Sequence, residues 1–204
     1  MMHFEHSAEV WRDFPRLVAG ILFADGITPD VQAGARAAAF TSVAAARLAA
    51  ATESELAEIR AGTLPRLHPL VDLCNAISLA FAIPVAVFDM AKVTSHLQVR
   101  YADGDEDYLT FSGDLEHPAP GEMIFADQAG RAHARRWSNR QSAYSAVGSA
   151  TTDALIVAEA LHDSAASDVP ELMAAIASEL TAAWAITPEV AVLTPSSPRF
   201  TFGR

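Results

Sequence analysis

Polar residues that could line a reaction site lie in two stretches of this sequence. Asn75 and Ser78 stand three residues apart in an otherwise apolar segment, and Asp89 closes the apolar run that follows. A carboxylate at the end of an apolar strand is costly to bury, so Asp89 needs either water or a cationic partner. The candidate cationic partners are four arginines that lie within ten residues of one another: Arg131, Arg135, Arg136 and Arg140. The pattern fits either a substrate pocket or an internal salt bridge that holds two lobes together.

The segment that carries these polar residues is predicted to form a helix followed by a strand. Apolar residues from Pro69 onward keep the 3.6-residue spacing of a core-facing helix, and Ile83-Pro84 interrupts it. Residues 85–89 then form an apolar strand that ends on Asp89. Asn75 and Ser78 share the polar side of the helix, which is either a solvated face or the wall of a pocket.

The other patterns predict further helices and strands around this segment. Alternation, apolar runs and turn residues predict strands at 17–23, 95–101, 107–111, 122–126, 132–137, 152–161 and 188–193. Residues 107–111 are predicted to be the returning strand that pairs with the strand at 95–101, and residues 122–137 are predicted to form a hairpin. Helices are predicted at about 29–51, 52–62 and 167–185. We predict a single α+β domain over residues 1–204, with its core at about 10–193, a frayed N-terminus and a loose tail from Thr194.

Composition limits the classes of function. The net charge of −11 argues against nonspecific nucleic-acid binding as the main activity, although the arginine cluster leaves a local anion site open. The single cysteine, Cys74, lies in the apolar helix and fits a reducing compartment. The sequence shows neither a signal-peptide pattern nor an apolar run of about 20 residues, so a cytoplasmic location is expected.

Several catalytic signatures are missing from the sequence. It has no glycine-rich phosphate loop, no Gly-x-Ser-x-Gly elbow and no Cys/His cluster at zinc spacing, so neither a metal nor a cofactor is expected. The seven histidines are scattered, and only His3 and His6, at the N-terminus, are three residues apart. His68 and His96 are candidate general bases, with a structural role as the alternative.

The order of several segments resembles a known family. These segments are 71–79, 83–89, 97–102, 121–127, 136–142 and 151–155, and the match in order and spacing extends over residues 10–190. Together they resemble the free-standing B3/B4 domain proteins, which are relatives of the tRNA-binding and editing region of the phenylalanyl-tRNA synthetase beta subunit.

The resemblance implies an α+β fold with a mixed sheet flanked by helices and two intertwined lobes that form a cleft. It implies hydrolysis of a wrongly attached amino acid from a tRNA in trans, without a nucleophilic triad or a cofactor. By this resemblance Asp89 and Arg140 are the candidate catalytic residues, and Arg131, Arg135 and Arg136 are candidates to meet the tRNA 3′ end. The candidate substrate-binding residues are Asn75, Ser78, Ala86, Gln141, Ser142 and Glu159.

The sequence also departs from the family pattern. Ala86 stands where the synthetase motif has a histidine, and bulky residues at 139–142 replace a glycine-rich loop. Glu159 corresponds to an acidic residue of the editing pocket. The pocket therefore differs, and the substrate need not be a tyrosyl ester. The alternatives are a noncatalytic module that binds a tRNA, an amino acid or a small carboxylate, and an enzyme acting on a small ester or amide without tRNA.

Overall fold

The computed structural model describes residues 1–47 and 67–203. Its helices are Ala8–Asp13 (α1), Gly34–Arg47 (α2), Pro69–Phe81 (α3) and Ala165–Trp184 (α4). Its strands are Met2–His6 (β1), Val18–Ala24 (β2), Val85–Asp89 (β3), His96–Tyr101 (β4), Tyr108–Leu109 (β5), Leu115–Glu116 (β6), Met123–Asp127 (β7), Ala132–Arg135 (β8), Arg140–Gln141 (β9), Ala154–Ala160 (β10), Glu189–Leu193 (β11) and Arg199–Phe202 (β12). The helix predicted at 52–62 and the predicted end of the preceding helix lie outside the described residues.

The longer strands form two sheets that pack face to face. One is six-stranded in the order β12-β1-β4-β7-β8-β9, and the other is four-stranded in the order β11-β2-β10-β3. Phe4 and Phe125 of the first sheet pack between the layers with Phe88 of the second, and all three are fully buried. Each such side chain contributes about 1.5–3 kcal/mol by leaving water. The predicted α+β class is confirmed, and the strand expected at 152–161 is β10, one of the two interior strands of the four-stranded sheet.

Helices cover the other face of the four-stranded sheet. His68 caps α3 by accepting a hydrogen bond from the Leu70 N–H at its Nδ1 (3.2 Å), and Pro69 occupies the first turn. The helix ends where Ala82 adopts a left-handed conformation with φ of 54°. Helix α4 approaches the sheet closely at Gly20, because a Cβ there would overlap Met173. The four-stranded sheet is therefore buried on both faces, which explains the continuous apolar runs of β2 and β10.

Three expectations about strands are wrong. The residues at 107–111 do not return along β4; Tyr108–Leu109 pairs with Leu115–Glu116, while β4 lies between β1 (parallel) and β7 (antiparallel). The N-terminus is not frayed, since β1 lies within the six-stranded sheet. The tail is not loose, because β12 pairs with β1 from Met2↔Phe202 to Glu5↔Arg199. Backbone pairing of the two chain ends orders segments whose own sequences bury few side chains.

Candidate functional site

A cavity of about 180 Å³ lies where the start of β3 and the end of β10 meet the loop between β8 and β9. Its walls combine apolar side chains with a few polar groups, as is usual in ligand sites. The lining residues are Leu17, Pro84, Trp137, Ser138, Asn139, Glu159, Ala160 and Leu161. The four-stranded sheet supplies the floor through β10, and the six-stranded sheet supplies the loop. The two sheets therefore meet at this cavity.

Glu159 is the acidic residue of the cavity. Side chains alternate along β10, so Leu155 and Val157 face the six-stranded sheet, and Glu159 points the same way. Its side chain is only 5% exposed, and its Oε1 pairs with Nε2 of His6, which is itself fully buried. Its Oε2 has no hydrogen-bond partner in the part of the chain that the structure describes. A carboxylate with one oxygen held and the other unpaired is suited to accepting a proton or binding a donor.

The loop beside Glu159 has an unusual backbone. Arg136 and Trp137 are consecutive non-glycine residues in the left-handed region, with φ of 52° and 59°. This conformation costs about 1–2 kcal/mol per residue. The Trp137 N–H donates to the Met123 carbonyl (3.2 Å), and its ring packs edge-on against Phe14 at 5.2 Å. Strained backbone is common at binding and catalytic sites, so this loop supports the assignment of the cavity as a site.

Asp89 lies at the opposite end of β3 from the cavity. Its Oδ2 accepts a hydrogen bond from Thr151 Oγ1 (2.8 Å) and lies 3.0 Å from Lys92 Nζ, while its Oδ1 accepts from the Ala91 N–H (3.1 Å). The expectation that the arginine cluster supplies its cation is therefore wrong. The physical reason is local, since Asp89 caps a short 3-10 turn that brings Lys92 beside it. Glu159 lies five residues further along β10 from the partner of Asp89, roughly 16 Å away.

The polar stretch at 140–142 contacts neighbouring strands. Arg140 pairs with Glu116 (3.3 Å) and lies over the Tyr108 ring. Gln141 donates to the Val87 carbonyl on the outer edge of β3, so it joins the edges of the two sheets. Ser142, fully buried, donates to the Leu109 carbonyl (2.8 Å). These side chains are bound to the scaffold and do not line the cavity.

The remaining arginines differ in exposure. Arg135 is buried and pairs with Glu122 (2.9 Å) and Glu116 (2.6 Å). Its hydrogen bonds hold the pKa of the Glu122 carboxyl below its usual range, although burial opposes this. Arg131 and Arg136 are exposed, and the guanidinium of Arg131 lies 5.1 Å from the centre of the Tyr144 ring. Of the residues predicted to meet a tRNA, Arg131 and Arg136 are thus accessible to an anion.

The other predicted substrate-binding residues lie elsewhere. Asn75 and Ser78 line a groove of about 570 Å³ between α2 and α3, on the far side of the four-stranded sheet. Ser78 Oγ donates to the Ile83 carbonyl (2.6 Å) and so stabilises the end of α3. Ala86 is fully buried between the sheets, opposite Val157 of β10. Of the predicted side chains, Glu159 is the one that lines the cavity.

Sequence reasoning missed His6, which contacts Glu159 across 153 residues. The signal available was the alternation in Met2–His6, where Phe4 and His6 are buried and His3 and Glu5 are partly exposed. Five residues at a chain end give a weak pattern, because the strand is defined by its neighbours β4 and β12.

The fold and the cavity define a class of α+β protein in which two packed sheets form a cleft. The chain belongs to the B3/4 domain family, since residues 37–171 match the B3/4 domain. Among described residues, no helix is both long and apolar enough to cross a membrane.

Similar proteins agree with this membership. The chain is 34% identical over 73 residues to the phenylalanine–tRNA ligase beta subunit of Cereibacter sphaeroides, covering 36% of this chain and 9% of that subunit. It is 38% identical over 64 residues to the Haemophilus influenzae subunit, covering 31% and 8%. The chain thus aligns with less than a tenth of these relatives.

A solved structure shares the fold. An N-terminal fragment of the phenylalanyl-tRNA synthetase beta subunit from Pyrococcus horikoshii matches 91% of this chain and 49% of its own length, with a TM-score of 0.52 and 10% identity. The predicted relation to the B3/B4 region of the synthetase beta subunit is confirmed. At this identity the structural match concerns the fold alone.

Proposed function

We propose that this protein hydrolyses an aminoacyl ester in the cavity beside Glu159, and so removes a wrongly attached amino acid from a tRNA in trans. The observation that carries the proposal is the carboxylate of Glu159, a residue that lines the cavity; its Oε1 is paired with His6, and its buried Oε2 has no partner among the described residues. Membership of the B3/4 domain family and similarity to synthetase beta subunits support the choice of substrate class.

The chemistry needs no nucleophilic side chain. A water held beside Glu159 Oε2 gives up a proton to the carboxylate as its oxygen attacks the ester carbonyl. Orientation of the ester and water, with a hydrogen-bond donor at the developing oxyanion, supplies the rest. Ser138 and Asn139, which line the cavity, are the candidate donors. Arg131 and Arg136 are exposed near this loop in sequence and are proposed to meet the tRNA 3′ end.

A deacylation screen across mischarged tRNAs tests the proposal. Glu159→Gln should abolish most hydrolysis, because the amide cannot accept the proton. Asp89→Ala and Arg140→Ala serve as comparisons, since both side chains contact the scaffold at a distance from the cavity. Failure to cleave any aminoacyl ester would exclude the function. Full activity in Glu159→Gln would exclude the cavity as the active site. Loss of hydrolysis in a folded Asp89→Ala or Arg140→Ala variant would instead assign the active site to the substituted residue.

The second candidate is a noncatalytic module that binds an amino acid or a small carboxylate. It is favoured by the net charge of −11 and by the internal ion pairs of Arg135 and Arg140. Salt dependence separates the two candidates. Contacts of Arg131 and Arg136 with a single-stranded 3′ end predict a slope of log K against log salt of about −1.4. A small-ligand module that does not bind tRNA shows no binding of uncharged tRNA at low salt.

A further inference from the structure

His6 lies at the end of β1, in the six-stranded sheet, and reaches across to the four-stranded sheet. Its imidazole is held between Phe4, edge-on at 5.3 Å, and Trp11, with ring centroids 4.9 Å apart. The residue is 3% exposed, and its Nε2 faces Oε1 of Glu159. The aromatic neighbours leave the ring little freedom to rotate, so the direction of Nε2 is fixed by packing.

The pair contains two polar atoms that are not used within the described protein. His6 Nδ1 and Glu159 Oε2 are both buried and have no hydrogen-bond partner among residues 1–47 and 67–203. Native proteins pair most buried polar atoms, so two unpaired atoms in one buried pair, with Glu159 lining the cavity, indicate a role in binding or reaction. Because His6 occupies Oε1, Oε2 is the oxygen of the carboxylate that is left without a partner.

We infer that His6 is a positioning residue for Glu159, an inference that rests on the proposed ester hydrolysis. The Nε2–H of His6 donates to Oε1, which offsets part of the cost of burying the carboxylate and fixes the plane of the carboxyl group. The position of the second oxygen, Oε2, is thereby fixed. His6 does not touch the substrate and acts through Glu159.

The proposed hydrolysis moves one proton from water to Glu159 and then to the ribose oxygen. Glu159 Oε2 takes a proton from water while the water oxygen bonds to the ester carbonyl carbon, and the carbonyl π pair moves to its oxygen. When the intermediate collapses, the bond between carbon and the ribose oxygen breaks, and that oxygen takes the proton from Glu159. His6 keeps its Nε2 proton throughout, so it stabilises the ionised carboxylate at the start and again at the end.

Residues 37–171 match the B3/4 domain, so His6 lies outside the matched segment while Glu159 lies inside it. Leu17, which lines the same cavity, also precedes the matched segment. The residues before position 37 therefore contribute to the site itself as well as to the sheets.

Two substitutions at His6 separate positioning from a merely structural role. His6→Phe preserves a planar ring between Phe4 and Trp11 but has no donor, whereas His6→Gln keeps an amide N–H that can reach Glu159. We expect His6→Phe to lower kcat by about 100-fold, the cost of misplacing a catalytic group by about 1 Å, with little change in KM. His6→Gln should recover a large part of kcat. His3→Phe, on the opposite face of the same strand, is the matched control and should behave as the parent.

The inference is overturned if His6→Phe keeps the parent kcat, or if His6→Gln is as impaired as His6→Phe while both remain folded. A measurement that needs no activity distinguishes this outcome from failure of the proposed function. In protein with ¹⁵N-labelled histidine, the ring nitrogen resonances of His6 should shift in Glu159→Gln and stay unchanged in Glu122→Gln. If no ester is cleaved, the proposed function fails, and these resonances still decide whether His6 holds Glu159. Identical histidine spectra in the parent and in Glu159→Gln overturn the positioning role of His6.

Discussion

Replacing Glu159 by glutamine should leave the free energy of unfolding within about 1 kcal/mol of the parent, although it removes a buried charge. Glutamine has nearly the same shape and still accepts a hydrogen bond from His6 Nε2. A bond to a charged group contributes about 1.5–3 kcal/mol and a neutral one about 0.5–1.5, so weakening this contact costs about 1 kcal/mol. At Oε2, an unpaired buried charged oxygen is replaced by an unpaired neutral amide nitrogen, which lowers the desolvation cost by about 1 kcal/mol. The two effects nearly cancel.

The alternative is that the His6–Glu159 pair exists to hold the two sheets together. Breaking a buried ion pair of that kind typically costs about 3–5 kcal/mol. Urea denaturation at neutral pH separates the two cases, provided that the m-value is unchanged. Glu122→Gln is the positive control, because both oxygens of Glu122 accept hydrogen bonds from Arg135 at 2.9 Å. That variant should lose about 1.5–3 kcal/mol.

If Glu159→Gln loses about 3 kcal/mol or more, as a broken buried pair should, Glu159 is a structural residue and the proposed site loses its main support. A near-neutral stability together with abolished ester hydrolysis is the combination expected of a catalytic carboxylate, since such groups are placed for reaction at the expense of stability.

Three further predictions concern the scaffold. Ala185→Gly should raise the free energy of unfolding by about 1 kcal/mol, measured by urea denaturation, because Ala185 ends α4 with φ of 56°; unchanged stability would contradict this. Burial tends to raise the pKa of Asp127, but His133, whose Nε2 lies 3.1 Å from Oδ2, and hydrogen bonds from the Thr94 and Arg131 N–H groups hold this pKa below its usual range. The stabilisation that the Asp127 carboxylate contributes is therefore complete above about pH 4, its pKa in the unfolded chain, and is lost as the pH falls further. Asp127→Asn should lower the free energy of unfolding by about 1.5–3 kcal/mol at pH 7 and by progressively less in acid. A difference between variant and parent that does not change with pH would refute this prediction. Burial raises the pKa of the Cys74 thiol to about 12, so iodoacetamide at pH 8 should label it only after denaturation; rapid labelling of folded protein would contradict that burial.

The centre of the fold was predictable because its elements carry their own signals. Helix α3 and strand β3 have long apolar patterns, a proline break and a cap within a continuous stretch, and both ends of each element follow from local chemistry. The terminal strands β1 and β12 were not predictable in this way. They have only 5 and 4 residues, and the pairing that defines them joins positions at opposite ends of the chain.

The site was predicted less well than the fold for a related reason. The charge pattern placed the partner of Asp89 in the distant arginine cluster, whereas the actual cation, Lys92, is three residues away. A sequence shows which charges exist but does not show which of them a local turn brings together. Conversely, Glu159 was found only through the family resemblance, and its partner His6 was missed because the contact crosses from one sheet to the other.

The cavity depends on residues from both sides of the boundary of the matched segment. Residues 37–171 supply β10 and the loop at 137–139, but the neighbour of β10 over all seven residues is β2, which precedes that segment. Without β2, the N–H and C=O groups of one edge of β10 would lack partners, and without β1 the buried carboxylate of Glu159 would lose its imidazole. The same N-terminal residues therefore complete the sheet and orient the carboxylate. It follows that the chemistry of this cavity is a property of the longer chain, and that the matched segment alone is an incomplete guide to what the cavity accepts.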